Sequence, residues 1–218
     1  VSEVIEVVSV DGTSHQLEMT VRGTNDAPVF SSVASQSFTE DDQTVNGQVT
    51  ATDIDQGDEI TYSADKAVSG LDFNADGSYQ FDPGHEDYQH LAQGDSLTIS
   101  VPVTATDQHG ASSGEVLTIT VQGSNDGPVI DKVQSQTVVE DDAVFSGQIS
   151  GSDIDQGDKV TFAADKAVSG LEFNADGSYQ FDPGHEDYQH LALGDSITIS
   201  VPVTATDQHG ASSGEVLT

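Results

Sequence analysis

The sequence repeats itself at a spacing of 100 residues. GSYQFDPGHEDYQHLA begins at Gly77 and again at Gly177, and TISVPVTATDQHGASSGEVLT begins at Thr98 and again at Thr198. About three quarters of the overlapping positions are identical, so the repeat is the structural unit. A unit of that length is one ordinary domain. One full copy is expected over residues 24–123 and a second over 124–218, where the last strand is cut short at Thr218. LEMTVRG at Leu17–Gly23 matches LTITVQG at Leu117–Gly123, so residues 1–23 read as the C-terminal strands of a preceding copy. Within them, Glu3–Val10 and Leu17–Val21 are expected to pair as a hairpin around Asp11-Gly12. Both ends read as cuts through a longer array.

Each copy alternates with period two. Leu97, Ile99, Val101, Val103 and Ala105 are separated by Thr98, Ser100, Pro102, Thr104 and Thr106, the pattern of a half-buried strand. Pro102 lacks an N–H, which places this strand at an edge or a bulge. Leu71-Phe73 and Tyr79-Phe81 flank Asp76-Gly77, a hairpin signal. Six or seven short strands per copy follow, an all-β sandwich. Only Glu86–Leu91 suggests a helical turn. The positions that differ between copies agree: Phe30 and Ile130, Val49 and Ile149, Ile60 and Val160, Tyr62 and Phe162 stay apolar, as packed sites require.

Lys and Arg total 5 against 38 Asp and Glu, a formal net charge of −33. Such a chain lacks the basic footprint of a nucleic-acid binder and is repelled by anionic membranes. It has no Cys, which excludes disulfides, thiolate metal sites and Cys nucleophiles. No stretch is long and apolar enough to span a bilayer, and VSEVIEVV carries no basic leader. The acids gather between strands: Glu40-Asp41-Asp42, Asp53-Ile54-Asp55-Gln56-Gly57-Asp58, Glu86-Asp87 and Asp107. Like charges in one loop repel unless they are well solvated or hold a cation. Ca²⁺, which takes six to eight oxygen ligands, is the expected guest of the DxDxGD loop.

ATDIDQGD at Ala51–Asp58 resembles the calcium-binding DxD loop of cadherin repeats. SFTEDD at Ser37–Asp42 resembles their early glutamate segment, and VTATDQHG at Val103–Gly110 their late Asp motif. GTNDAPVF at Gly23–Phe30 and GSNDGPVI at Gly123–Ile130 resemble the DxNDN linker between such repeats. In wording and length the unit is most similar to VCBS repeats, cadherin-like modules of bacterial RTX-type surface adhesins. The resemblance implies tandem cadherin-like, Greek-key, Ig-like sandwiches of about seven strands. It implies a linker site made by Glu40 from copy one, Asn125 and Asp126 from the linker, and Asp153, Asp155 and Asp207 from copy two. The first junction would carry Asn25, Asp26, Asp53, Asp55 and Asp107, and Glu140 would serve a following unit. Asp58 and Asp158 are further candidates. Gly23 and Gly123 stand where the linker pattern has Asp, and Ala27 and Gly127 where it has Asn, so one to three ions per junction are expected.

Other constellations carry less. His85 and His90 are five apart, whereas a zinc-protease helix needs four. Asp107, His109 and Ser112 share one turn, with no GxSxG elbow. Few aromatics are present to line a sugar subsite. The expectation is a non-enzymatic, calcium-rigidified extender of a bacterial surface adhesin, secreted to the cell surface and supporting adhesion and biofilm formation. It is expected to be monomeric, with neighbouring repeats of the same chain as partners, no nucleic acid and no membrane insertion. The alternatives are a ligand-binding adhesive domain and a halophilic protein whose acids only hold water.

Overall fold

A computed structural model describes Ser2–Thr218. Val1, the first residue of the expected leading segment, lies outside the described residues. In chain order the strands are β1 (Ser2–Val8), β2 (Ser14–Thr20), β3 (Val29–Phe30), β4 (Gln36–Thr39), β5 (Val45–Gln48), β6 (Ala51–Thr52), β7 (Ile60–Ala64), β8 (Leu71–Phe73), β9 (Ser78–Phe81), β10 (Ser96–Asp107) and β11 (Ser112–Gln122). They continue with β12 (Val129–Ile130), β13 (Phe145–Gln148), β14 (Gly151–Ser152), β15 (Thr161–Ala164), β16 (Leu171–Phe173), β17 (Ser178–Phe181), β18 (Val201–Thr206) and β19 (Ser212–Leu217). No helix forms among the described residues. Two tight turns stand at Glu86–Leu91 instead, closed by Tyr88 N–H to His85 O and Leu91 N–H to Tyr88 O.

The chain divides into two compact units, one of Val1–Ala34, Asn46–Gln80 and Ser100–Leu117, the other of Ser35–Val45, Phe81–Ile99 and Thr118–Thr218. In the first, β1 and β2 pair antiparallel from Ser2↔Thr20 to Val8↔Ser14. The hairpin expected around Asp11-Gly12 is present, but its turn is wider. Ser9 N–H donates to Thr13 O and Gly12 N–H to Ser9 O, which takes both flanks out of the ladder. All side chains of this hairpin are exposed.

β7 pairs with β10 from Ala64↔Val103 to Ile60↔Asp107. The period of two in β10 becomes burial: Val101, Val103 and Ala105 are at most 1% exposed. Each fully buried Val of this strand contributes roughly 1.5–3 kcal/mol, and Ala105 less. Pro102 corrects one expectation, because β10 is an interior strand between β11 and β7. The Pro102 carbonyl accepts from Asp65 N–H, just past the end of β7. The missing N–H faces the same side, where the ladder has already stopped at Ala64, so no rung is lost. Gly77 closes the β8–β9 hairpin at φ 82°, and a Cβ there would lie 2.5 Å from the Val49 carbonyl oxygen.

In the second unit, β4 lies parallel to the end of β11, from Gln36↔Ile119 to Thr39↔Gln122. Phe81, Ile119 and Val121 are fully buried there. The second repeat is a sandwich: sheet β13-β17-β16 and sheet β15-β18-β19 share a core of Ile149, Phe162, Tyr179, Val201, Val203, Ala205 and Leu217. β18 pairs with β19 from Val201↔Leu217 to Thr206↔Ser212. The residues matching β4 and the start of β10, 136–139 and 196–200, are not in strands.

Candidate metal centre

The second DxDxGD loop follows β14. Asp155 N–H bonds back to Asp153 Oδ1 at 3.1 Å, and Asp158 N–H to Asp155 O at 3.3 Å. Gly157, at φ 99°, turns the chain between them. These bonds curl the loop so that its three carboxylates point into two different groups. Asp207, one residue past β18, is anchored by its Oδ1, which accepts from the N–H groups of His209 at 2.8 Å and Ala211 at 3.0 Å. Its Oδ2 accepts from Asn125 Nδ2 at 2.9 Å. The linker is held at its next residue too, by Asp126 N–H to Asp155 Oδ2 at 2.9 Å.

Glu40 stands one residue past β4 and is fully buried. Its N–H bonds to Gln122 O at 3.0 Å, and its Oε1 accepts from Ser124 N–H at 2.8 Å. Asp41 beside it takes the Ser124 hydroxyl. Gly123 makes the approach possible: a Cβ there would lie 2.3 Å from the carbonyl oxygens of Leu91 and Ala92.

Two carboxylate clusters result in this unit. Glu40, Asp126 and Asp155 form one, and Asp153, Asp158 and Asp207 the other, each with ligand oxygens within 4.8 Å of one another. In the first unit the same fold brings Asp53, Asp58 and Asp107 together. There Asn25 Nδ2 donates to Asp107 Oδ2 at 2.9 Å and Asp26 N–H to Asp55 Oδ2 at 2.8 Å. Glu140 joins no cluster among the described residues.

Several of these oxygens are buried with no hydrogen-bond partner: Glu40 Oε2, Asp126 Oδ2, Asp155 Oδ1, Asp153 Oδ2 and Asp158 Oδ2, with Asp53 Oδ2 and Asp58 Oδ2 in the first unit. Asn125 Oδ1 and Glu140 Oε2 are likewise without one. A buried, partnerless carboxylate oxygen costs free energy, and three together cost more. No Lys or Arg forms an ion pair with them among the described residues, where the ion pairs are His–Asp contacts. The electrostatics follow. Burial, with the charges of Asp126, Asp41 and Asp155, outweighs the Ser124 N–H and raises the Glu40 carboxyl above its usual range. Burial and the charges of Asp41 and Asp153 raise Asp126. Burial and the charges of Asp126, Asp153 and Asp158 raise Asp155 against the N–H bond it accepts from Asp126. At Asp107 and Asp207 burial also pushes upward, but the Asn25 or Asn125 amide and three backbone N–H groups prevail and hold them low.

An all-oxygen, anionic donor set with its lone pairs turned inward fits a hard divalent cation. The sequence grouped Asp53 and Asp55 with Asp107, and Asp153 and Asp155 with Asp207. The fold splits each pair. Asp58 and Asp158 share a cluster with the late Asp, while Asp155 turns to Glu40 and Asp126, and Asp55 to the Asp26 N–H. Asp41 was not singled out, although the Glu40-Asp41-Asp42 run carried the signal.

Residues 25–123 match the family model of a bacterial cadherin-like domain, and residues 125–218 that of a bacterial Ig domain. No curated protein sequence matches the chain. Among solved structures it resembles Drosophila N-cadherin EC1-4, with 16% identity, TM-score 0.51, and 94% of this chain against 51% of that one. It also resembles protocadherin gamma B7 extracellular cadherin domains 1-4, with 18% identity, TM-score 0.53, and 99% of this chain against 63% of that one. For mouse protocadherin-24 EC1-3 the figures are 18%, 0.51, and 100% against 77%. The chain thus spans about half to three quarters of these structures. With two successive family matches and an all-β fold shared with cadherin ectodomains, the chain carries tandem cadherin-like, Ig-type β-sandwich domains.

Proposed function

We propose that these domains are calcium-tied spacer modules of a bacterial surface adhesin of the VCBS and RTX-type class, non-enzymatic and exported to the cell surface. The observation that carries the reading is the set of buried carboxylate oxygens without partners at Glu40, Asp126 and Asp155. They come from three places in the sequence: the end of β4, the linker, and the loop after β14. Charge compensation at this point therefore links the first repeat, the linker and the second repeat. Calcium, when bound, supplies that compensation through direct oxygen coordination. Glu40, Asp126 and Asp155 would hold one ion, and Asp153, Asp158 and Asp207 another.

The remaining roles belong to the chain. Ser124 N–H orients the Glu40 carboxylate, Asn125 orients Asp207, and the Asp126 N–H fixes Asp155. The cadherin-type folds and the family matches support an extracellular, adhesion-related module. In the first unit Asp53, Asp58 and Asp107 offer a set made inside one repeat, which would fill independently of the linker cluster.

The test is a thermal melt in EDTA and through a CaCl₂ titration, with isothermal calorimetry for stoichiometry. Binding to the folded state alone adds about 2.7 kcal/mol per site at 100 times Kd. Saturable Ca²⁺ binding with a rise in Tm is expected. An unchanged Tm and no binding heat would remove calcium from the reading.

A further inference from the structure

The loop after β9 meets three other parts of the chain, and each meeting ends on a backbone carbonyl. Its apolar side anchors it in the first repeat: Tyr88, Leu91 and Ala92 are all less than 9% exposed, and the Tyr88 ring lies 5.7 Å from that of Phe81. At the end of β4, Gln89 Nε2 donates to the Glu40 carbonyl at 3.2 Å. In the linker, Gly123 N–H donates to Asp95 O at 3.0 Å. In the second repeat, Gln156 N–H donates to His90 O at 3.0 Å. All of these residues belong to one compact unit. No carboxylate takes part in any of the three bonds, so none of them depends on a cation. Gln156 directly follows Asp155, whose carboxylate joins Glu40 and Asp126.

We propose that Tyr88–Ala92 is a cation-independent docking point for the second DxDxGD loop, so that the junction between the repeats closes before any ion arrives. Gln156 is a positioning residue. Its main-chain bond to His90 fixes the adjoining backbone of Asp155, whose Oδ2 accepts from Asp126 N–H. The local fold leaves that donor available. Asp158 N–H closes on Asp155 O at 3.3 Å, Gly157 has φ 99°, and no described residue other than glycine has positive φ. This is a type II turn with Gln156 at its second position, where the turn itself does not use the N–H. A bond between two peptide groups carries no net charge, so salt does not screen it as it screens the carboxylates. The inference goes beyond calcium binding and does not rest on it. The chain itself sets the geometry of the linker cluster, and an ion has only to compensate the charge.

The experiment reads amide exchange of the 218-residue chain in EDTA, so its outcome is separate from that of calcium binding. Ile54–Asp58 and Ile154–Asp158 have the same sequence, so the Gln56 and Gln156 amides share one intrinsic exchange rate. Gln56 N–H makes no backbone hydrogen bond among the described residues. Gln156 N–H should therefore exchange about tenfold more slowly than Gln56 N–H. Gln156→Pro keeps the turn, because proline suits the second position of type II, and removes the donor. Ser124 and Asp126 N–H, which bond to Glu40 and Asp155, should then exchange about tenfold faster. Gln56→Pro is the control and should leave both amides unchanged. Equal exchange at Gln56 and Gln156 in the unmutated chain would overturn the proposal, whatever the stability of the variants. So would Ser124 and Asp126 amides that ignore Gln156→Pro or respond alike to both substitutions.

Discussion

Replacing Glu40 by Gln separates the cost of the linker cluster from its use. Gln keeps the oxygen that accepts from Ser124 N–H at 2.8 Å. In place of the partnerless Oε2 it sets an amide donor among the oxygens of Asp126 and Asp155. A hydrogen bond to a charged group contributes about 1.5–3 kcal/mol. For a chain of this size each kcal/mol moves Tm by about 2–4 °C, so the variant should melt about 3–12 °C higher in EDTA. In saturating CaCl₂ the order changes. One charged ligand is gone, and each tenfold loss of affinity removes about 1.4 kcal/mol of linkage. The Tm gain on adding calcium should therefore shrink by about 3–6 °C for every tenfold. Calorimetry of both proteins in both buffers reads this directly. Glu140→Gln serves as the comparison: its Oε2 is also buried without a partner, but Glu140 joins no carboxylate cluster among the described residues, so it should respond less. If Glu40→Gln lowers Tm in EDTA, the buried carboxylate is not a burden in the cation-free fold, and the reasoning fails.

Three further outcomes are expected. Glu40, Asp126 and Asp155 have raised folded values, so in EDTA their contribution is full below the unfolded pKa and is lost as pH rises through the folded ones. Asp107 and Asp207 act oppositely, their contribution being lost as pH falls through their lowered values. Tm in EDTA should thus climb as pH drops from neutral toward the carboxylate range and collapse only in stronger acid; a flat melt profile between neutral and mildly acid pH would contradict this. Asp207→Ala removes the acceptor of the His209, Gly210 and Ala211 N–H groups and should cost about 1–3 kcal/mol in urea unfolding in EDTA, and more in saturating calcium, where a ligand of its cluster is lost as well. Gly77→Ala combines positive φ with a 2.5 Å clash against the Val49 oxygen, whereas Gly57→Ala meets open space at φ 96°. The first should cost clearly more than the second, which is expected near 1 kcal/mol, and equal urea midpoints would refute the packing argument.

Much of this was legible in the sequence because period-two patterns survive translation into structure. Val101, Val103 and Ala105 point inward as their spacing demanded, and Asp76-Gly77 closes its hairpin. The position of Pro102 was not legible. Whether a missing N–H faces a neighbour depends on where β7 ends, and that is a property of the partner strand. The parallel rung between β4 and β11 was equally hidden, since it joins residues more than 80 positions apart. At the candidate site the residue types could be named, but not their grouping. Asp153 and Asp155 alternate in sequence, yet the bond from Asp155 N–H to Asp153 Oδ1 curls the loop and sends them to different clusters. Repulsion between acids is readable from composition, whereas a buried oxygen without a donor is a statement about three dimensions.

The parallel pairing of β4 with the end of β11 also sets how the first repeat meets force. β4 lies near the start of that repeat and β11 at its end, so tension on the two ends pulls the strands lengthwise in opposite directions. The rungs from Gln36↔Ile119 to Thr39↔Gln122 are then loaded together and must fail together, instead of opening one by one like a zipper. Forced unfolding is a matter of rate, and simultaneous loading raises that barrier.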